Sequence, residues 1–562
     1  MEKLKESYIK FNPKWGETPP PPLPQEPVYS IVTEGARKWP SKTALVCYDY
    51  SISYQDLDLL SDKLSQALVE EFGVKRWDRV AVMLPNCIQH TIAFFAILKI
   101  GAIETPLNVM YKPREIAYQL NDAETDIIIA LNVFYPLIAE AQKETKLKNI
   151  VLADLTAYTS GKVPDVFIAG RKTFPGTHDF DQLIDYYEGE VEHSPIDVDR
   201  DLALLLYTAG TTGLPKGVME PHRTLWANNQ TRYIYDFTGD DTSLQIMPMF
   251  HCSGFCLAQL PILTSGGTVV LVPLFNPKEC IKWIQNYNVS VILAPPTFFT
   301  ALINEPEVAE LKHSSLRITL SCGGPQTGPT RLKWKKITDL YLLDGYGMTE
   351  TQCGGTAILS APYKYKPGAI GSAVNGEVKI VDEAGYIVPV GTVGEVMFKG
   401  PGLALGYWKK PQETKDKFTS DGWLHSGDAC WMDEEGFIYF SDRYKDLIVA
   451  SGYNVAPLEV ESVLMGHSAV NEAAVIGIPD EYRGETVKAF ISLIEKDIAI
   501  EDKEGLKQDI LKHCKNELAS FKVPKDIEII DEIPKSAVGK ILRRQLREKQ
   551  RQQSYSTFGV DS

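Results

Sequence analysis

The chain has 562 residues, 44% hydrophobic and 23% charged, enough to fill several cores, which excludes a disulfide-stapled mini-protein, a coiled coil and a disordered tail. At roughly 100–200 residues per domain, three or four structural units are expected. A formal charge of −15 at pH 7 argues against an electrostatic footprint for nucleic acid or an anionic membrane surface.

The first residues, MEKLKESYIK, carry charges where a secretory signal needs an apolar core. Residues 13–27 are proline-rich, so 1–27 are expected to form an extended arm on the surface. From about Thr43 to Leu131, strand-like pieces such as RVAVML (79–84) and DIIIAL (126–131) alternate with helical patterns such as 88–100. The most apolar run, Thr91 to Ile103, is interrupted by Lys99 and falls short of the ~20 residues that span a bilayer. After Asp201 the alternation returns in LALLLY, TVVLV, VSVILA, LRITLS and LYLLD. This pattern predicts an α/β fold whose mainly parallel sheets are covered by helices. Around residue 368 it changes to short strands and tight turns, predicting a small antiparallel β unit over 368–442. A boundary near Asp442 to Lys445 leaves 28–442 as a large N-terminal domain and 443–562 as a smaller C-terminal α+β domain ending in a basic helix, Ile541 to Arg551.

Nine cysteines are scattered without a C-x-x-C pair and read as reduced thiols of a cytoplasmic protein. The nearest pair, Cys252 and Cys256, has only His251 beside it, short of the about four ligands of a structural zinc site.

The segment YTAGTTGLPKG (207–217) follows the strand pattern LALLLY and precedes a helix near His222. Its glycines let the backbone wrap an oxyanion, its threonines and N–H groups donate hydrogen bonds, and Lys216 adds positive charge. It is not a Walker A loop, because Pro215 and Gly217 flank the lysine. By composition alone, a flexible turn and a phosphate cradle fit equally well.

This loop closely resembles the signature of the acyl-adenylate-forming superfamily of acyl-CoA synthetases, luciferases and adenylation domains. Further motifs of that family follow in order: YGMTE (346–350), GYWKKPQET (406–414), DGWLHSGD (421–428), DRYKD (442–446), SGYNVAPLEVE (451–461) and PKSAVGK (534–540). The resemblance runs from about residue 28 to 546 and implies a set of roles. Thr208, Gly210, Thr211, Thr212, Gly213 and Lys216 would hold the ATP phosphates, with Ala209 standing where members usually carry serine. Thr349 would touch the phosphates and Glu350 would coordinate Mg2+. The segments CGGPQT and DGYGM would flank the nucleotide through Gly323, Gly324, Pro325, Asp344, Gly345, Tyr346, Gly347 and Met348, Gln326 departing from the usual pattern. Asp428 would accept the ribose hydroxyls, and Arg443 would reach the ribose from the hinge side.

Lys540 matches the catalytic lysine that stabilises charge as the carboxylate attacks the α-phosphate, although Val538 replaces the usual hydroxyl residue. Lys445 occupies the hinge about which the family rotates its C-terminal domain as a mobile lid. Gly452 and Arg483 match positions that admit coenzyme A. Phe250 and His251 would wall the acyl pocket, with packing of His251 on Phe250 and Phe255 as the alternative; Phe298 and Phe299 are further candidate walls. Gly347 stands where acetate-specific members place a tryptophan, which implies a larger pocket for medium-chain, branched or cyclic acids. The implied enzyme is an AMP-forming acid–thiol ligase using ATP, Mg2+ and coenzyme A on a hydrophobic carboxylic acid. It would have no nucleic-acid partner and no membrane span, and a homo-oligomer is compatible with it. The alternatives are an adenylate-forming enzyme that passes the acyl group to a carrier protein in trans, a luciferase-like oxygenase, and a nucleotide-binding scaffold.

Overall fold

The computed structural model describes residues 5–9, 21–161, 163–168, 173–208, 214–255, 258–324, 326, 328–353, 358–359, 365–373, 375–443, 446, 448–450, 453–480, 484–494, 500–520, 522–535 and 541–557. Two large sheets account for the expected strand and helix alternation. In the seven-stranded one, Leu202–Tyr207, Ile103–Pro106, Arg79–Met83, Ile127–Leu131, Asn149–Ala153 and His178–Asp179 run parallel, and Gly217–Pro221 closes one edge antiparallel. In the nine-stranded one, Leu342–Tyr346, Ile318–Cys322, Val291–Ala294, Thr242–Gln245, Thr268–Leu271 and Thr43–Cys47 are parallel neighbours, with antiparallel strands added at both edges. Strands buried on both faces read as continuous apolar runs, so IIIAL and VILA lack the period-2 alternation of a half-exposed sheet.

Helix Ile88–Lys99 is buried along its whole length and shares one core with residues of both sheets. A helix apolar all round belongs in such a core. Lys99, which breaks the apolar run in the sequence, is buried too, and its ammonium reaches Asp58 and Asp62 of helix Tyr54–Glu70 at 2.7 Å each. Removing either aspartate would leave a buried charge short of a partner, the costly way to break such a cluster.

The expected antiparallel unit is a five-stranded sheet built from Glu377–Val381, Gly394–Lys399, Leu424–Met432 and Ile438–Arg443, with Tyr8–Ile9 from the N-terminus as an edge strand that the sequence pattern did not suggest. The proline-rich stretch is described from residue 21, where Gln230 donates to the Pro21 carbonyl and the Trp226 indole to the Glu26 carbonyl, both at 2.7 Å. The C-terminal part pairs Val470–Asp480 with Gly484–Leu493 and packs helices on that sheet. Two arginines of its basic helix Arg543–Thr557 reach other elements: Arg543 grips both oxygens of Glu461 at 2.9 Å and Arg547 reaches Asp446 at 2.8 Å. Among the described residues, no helix is long and apolar enough to cross a membrane.

Where the arm meets the body, the Val28 amide donates to Nδ1 of the fully buried His222 at 3.1 Å. Burial lowers the imidazole pKa from 6.5 to about 4, so the ring stays neutral and able to accept. Between those values the unfolded chain binds a proton that the folded chain refuses, so stability is complete above pH 6.5 and declines as the pH falls toward 4, by on the order of 3 kcal/mol. Urea unfolding at pH 7, 5.5 and 4.5 should show a shallower acid loss for His222→Asn than for the parent chain. Parallel slopes would exclude this role.

Candidate active site

The parallel strands Ile318–Cys322 and Leu342–Tyr346 lie side by side, pairing Cys322 with Gly345. Their carboxyl ends therefore bring Gly323 and Gly324 next to Tyr346 and Gly347, at the place where open α/β sheets bind ligands. Gly323 has φ +82°, a left-handed conformation that suits glycine. These residues border a cleft of roughly 2260 Å³ that is also lined by Thr208, Lys216, Met348, Thr349, Glu350 and Asp428. Sequence positions some 220 residues apart are thus brought to one space. Residues of the C-terminal part, among them Lys535 and Ile541, form its other side.

Gly210, Thr211, Thr212 and Gly213 lie outside the described residues, but the Thr208 amide donates to the Lys216 carbonyl at 3.0 Å, so the two ends of that loop are joined. The strand after it is held from below by GYW: Trp408 donates to the Gly217 carbonyl and Met219 to the Gly406 carbonyl. Tyr407 is consequently set against both the loop and the Glu350 turn. Its ring lies 5.1 Å from the Lys216 ammonium and its hydroxyl donates to Glu350 Oε1 at 2.5 Å. Burial, reinforced by the Glu350 carboxylate, raises the phenol pKa far above its usual range, so Tyr407 remains a donor.

Glu350 is 6% exposed and borders the cleft, and Tyr407 occupies only one of its two carboxylate oxygens. A carboxylate with a free oxygen beside a threonine hydroxyl is a hard oxygen donor set that suits Mg2+. The Asp428 carboxylate is held in the same manner, accepting from Tyr346 at 2.5 Å. Tyr346 stacks on Phe398, its centroid 5.8 Å away, and burial followed by the nearby Asp428 charge keeps its hydroxyl protonated. Arg443 pairs with Asp428 across neighbouring strands. Its side chain lies outside the described residues, as do Pro325, Lys445, Gly452, Arg483 and Lys540. The Leu542 amide donates to the Pro534 carbonyl at 2.8 Å, and Lys535 forms a bridge with Ile541.

Asp344 borders the cleft, but both of its oxygens are taken by Arg331, Nη2 to Oδ1 at 2.8 Å, so its carboxylate holds the sheet end together. At Gly347, a Cβ atom would lie 1.6 Å from the Cys353 carbonyl oxygen. The missing side chain admits the main chain of the following turn, so an empty place at 347 does not itself enlarge an acyl pocket. Phe250 and His251 line the cleft, whereas Phe298 and Phe299 pack into the core, Phe299 against Trp334 at 5.1 Å. Phe255 also turns inward, stacking on Phe94 at 4.3 Å. His251 Nδ1 pairs with the Ser253 hydroxyl at 2.8 Å.

Tyr407 and Arg331 were not singled out by sequence reasoning. Tyr407 sits inside a quoted motif, GYWKKPQET, and that placement was the available signal; Arg331, in helix Gly328–Thr338, carries none.

Removing the Tyr407 hydroxyl releases a Glu350 oxygen that is now oriented. With Glu350 in the Mg2+-holding role that the resemblance implies, Tyr407→Phe is expected to raise the Mg2+ concentration needed for half-maximal pyrophosphate release by roughly 10–100-fold, the usual weight of an outer partner of a metal ligand. An unchanged Mg2+ profile would remove Tyr407 from that role.

The AMP-binding enzyme family matches residues 32–408, and the AMP-binding enzyme C-terminal domain matches 459–540. A long-chain-fatty-acid–CoA ligase of Bacillus subtilis (strain 168) is 36% identical over 557 residues, covering 94% of this chain and 95% of its own. One from Salmonella typhimurium is 34% identical, covering 93% and 94%. The crystal structure of the anthranilate CoA ligase AuaEII in complex with anthranoyl-AMP superposes with a TM-score of 0.86 at 28% identity, over 95% of this chain and 99% of that one. With two family profiles and full-length relatives in agreement, the chain belongs to the AMP-binding enzyme family, within the acyl-adenylate-forming superfamily, as an acid–thiol ligase of the AMP-forming acyl-CoA type.

Proposed function

We propose that the acid is hydrophobic, a fatty acid of medium or longer chain, and that the cleft residues divide the work in two half-reactions. The observation that carries the choice of acid is the pair of relatives named long-chain-fatty-acid–CoA ligases, which align over 93–94% of the chain. In the first half-reaction a carboxylate oxygen attacks the α-phosphorus of ATP, the bond to the bridging oxygen breaks, and pyrophosphate leaves. Lys216 and the Thr208–Gly213 loop hold the departing phosphates. Glu350 and Thr349 would hold Mg2+, which would offset phosphate charge when bound. Asp428, braced by Tyr346, accepts from the ribose, with Arg443 opposite. Lys540 steadies the negative charge that spreads over the α-phosphate and attacking carboxylate.

In the second half-reaction the coenzyme A sulfur attacks the acyl carbon of the mixed anhydride and AMP leaves. Lys540 has then to be withdrawn, with Lys445 as the hinge and Gly452 and Arg483 on the path of the thiol. Phe250 and His251 wall the acyl end.

Two measurements test this reading. Pyrophosphate release with MgATP, with and without coenzyme A, is measured on acids from acetate through octanoate and palmitate to benzoate. kcat/KM should peak among fatty acids above acetate, with coenzyme A required for turnover; a maximum at acetate or benzoate would overturn the choice of acid. Lys540→Ala should lower adenylation by roughly 10²–10³-fold while sparing thioester formation from supplied acyl-adenylate. Equal loss in both half-reactions would contradict the lysine's assignment.

A further inference from the structure

Two cysteines with no part in the ligase reaction meet beside the cleft. Cys252 opens the short helix Cys252–Phe255, and Cys353 follows the turn Thr349–Thr351. Their sulfurs lie 3.2 Å apart although 101 positions separate them, and Cys252 Sγ is 3.6 Å from His251 Nδ1. One ligand atom from each of the three residues falls within 4.8 Å of the others, the metal-competent group found among the described residues. The described cysteines are free thiols.

A tetrahedral ion with metal–sulfur bonds of about 2.3 Å and metal–nitrogen bonds of about 2.0–2.1 Å spaces its donors about 3.8 Å apart for two sulfurs and about 3.6 Å for sulfur and nitrogen. The observed pairs need an opening of roughly half an ångström for the first and none for the second, and His251 Nδ1 has to exchange its 2.8 Å contact with the Ser253 hydroxyl for the ion. Thiolate and imidazole select soft or borderline ions, in contrast to the all-oxygen set at Glu350. Cys252 is buried, while His251 and Cys353 border the cleft, so a fourth position faces the space where the acid is held.

We propose that His251, Cys252 and Cys353 form an inhibitory binding site for a thiophilic d10 cation, Zn2+ or Cd2+, with one coordination position open to the acid-binding side of the cleft. Binding releases the two thiol protons and forms two metal–thiolate bonds and one metal–imidazole bond. It ties down the turn that carries Thr349, whose hydroxyl is 4.0 Å from Cys252 Sγ, and Cys353, whose carbonyl fills the place beside Gly347. It also takes His251 from the acyl wall. Inhibition rests on the ligase reading; cation binding does not.

The test uses the full chain, reduced with a non-chelating phosphine and freed of metal. Titration with Co2+ should develop thiolate-to-cobalt absorption in the near ultraviolet and intense tetrahedral visible bands, saturating at one ion per chain and bleached by Zn2+. Cys252→Ala and Cys353→Ala should each lose these bands and weaken Zn2+ binding by at least about tenfold, whereas Cys514→Ala in the C-terminal core should keep them. A second readout needs no variant: Zn2+ should protect Cys252 and Cys353 from alkylation in peptide mass maps. Absence of the thiolate band, its survival in both variants, unprotected thiols, or a Cys252–Cys353 disulfide formed in place of the complex would overturn the site. Zn2+ bound as described without slowing pyrophosphate release would overturn its inhibitory role, and failure of every acid in the panel with the cobalt spectrum intact would fall on the ligase reading alone.

Discussion

At the carboxyl end of Leu342–Tyr346 the chain doubles back so tightly that the Cys353 carbonyl occupies the position of a side chain at residue 347. Interiors are packed too densely to yield that space, and a backbone atom cannot swing aside as a flexible side chain can. Gln352 and Cys353 accept left-handed backbone angles, φ 47° and 57°, to complete the turn. From this one contact follow the position of Thr349 and Glu350 over the cleft, the reach of Tyr407 to Glu350, and the approach of Cys353 to Cys252. An alanine at 347 would have to displace the main chain that carries all of them.

A site that receives a polyphosphate gains little from carboxylates left free to repel it. Here Glu350 and Asp428 are each bound by a buried tyrosine hydroxyl. The phenols stay neutral because burial disfavours their anions, so each donates a hydrogen bond without adding charge. A third carboxylate at the rim, Asp344, is neutralised by Arg331. Oxygen donors are thereby oriented before any ligand enters, which is the arrangement that makes electrostatic stabilisation effective.

Lys99 illustrates how the body around the site reconciles charge with burial. In the sequence it interrupts an apolar run; in the fold its stem lies among apolar side chains while its ammonium meets Asp58 and Asp62. The cluster joins helices Tyr54–Glu70 and Ile88–Lys99 within the core shared by both large sheets.

The architecture was legible from the amino-acid order because apolar periodicity and turn residues act locally: RVAVML, LALLLY and LRITLS became strands, 88–99 a helix, and the grammar change near 368 an antiparallel sheet. Local order likewise marked residues 207–217 and the segments at the ends of the strands Ile318–Cys322 and Leu342–Tyr346, whose described residues border one cleft. What it did not disclose depends on contacts between distant segments. Tyr8–Ile9 joins a sheet formed more than 360 residues later, because an edge strand is recruited through backbone hydrogen bonds that leave no side-chain signature. Arg331 meets Asp344, Tyr407 meets Glu350, and Cys353 rather than a sequence neighbour meets Cys252, through side-chain reach across turns whose geometry is set by packing. Amino-acid order alone determined the elements and the family of chemistry, since these rest on periodicity and on short motifs. Tertiary structure decided which side-chain carboxylates are paired, which thiols touch and why residue 347 is glycine, since steric exclusion and pairing exist only once remote segments share one space.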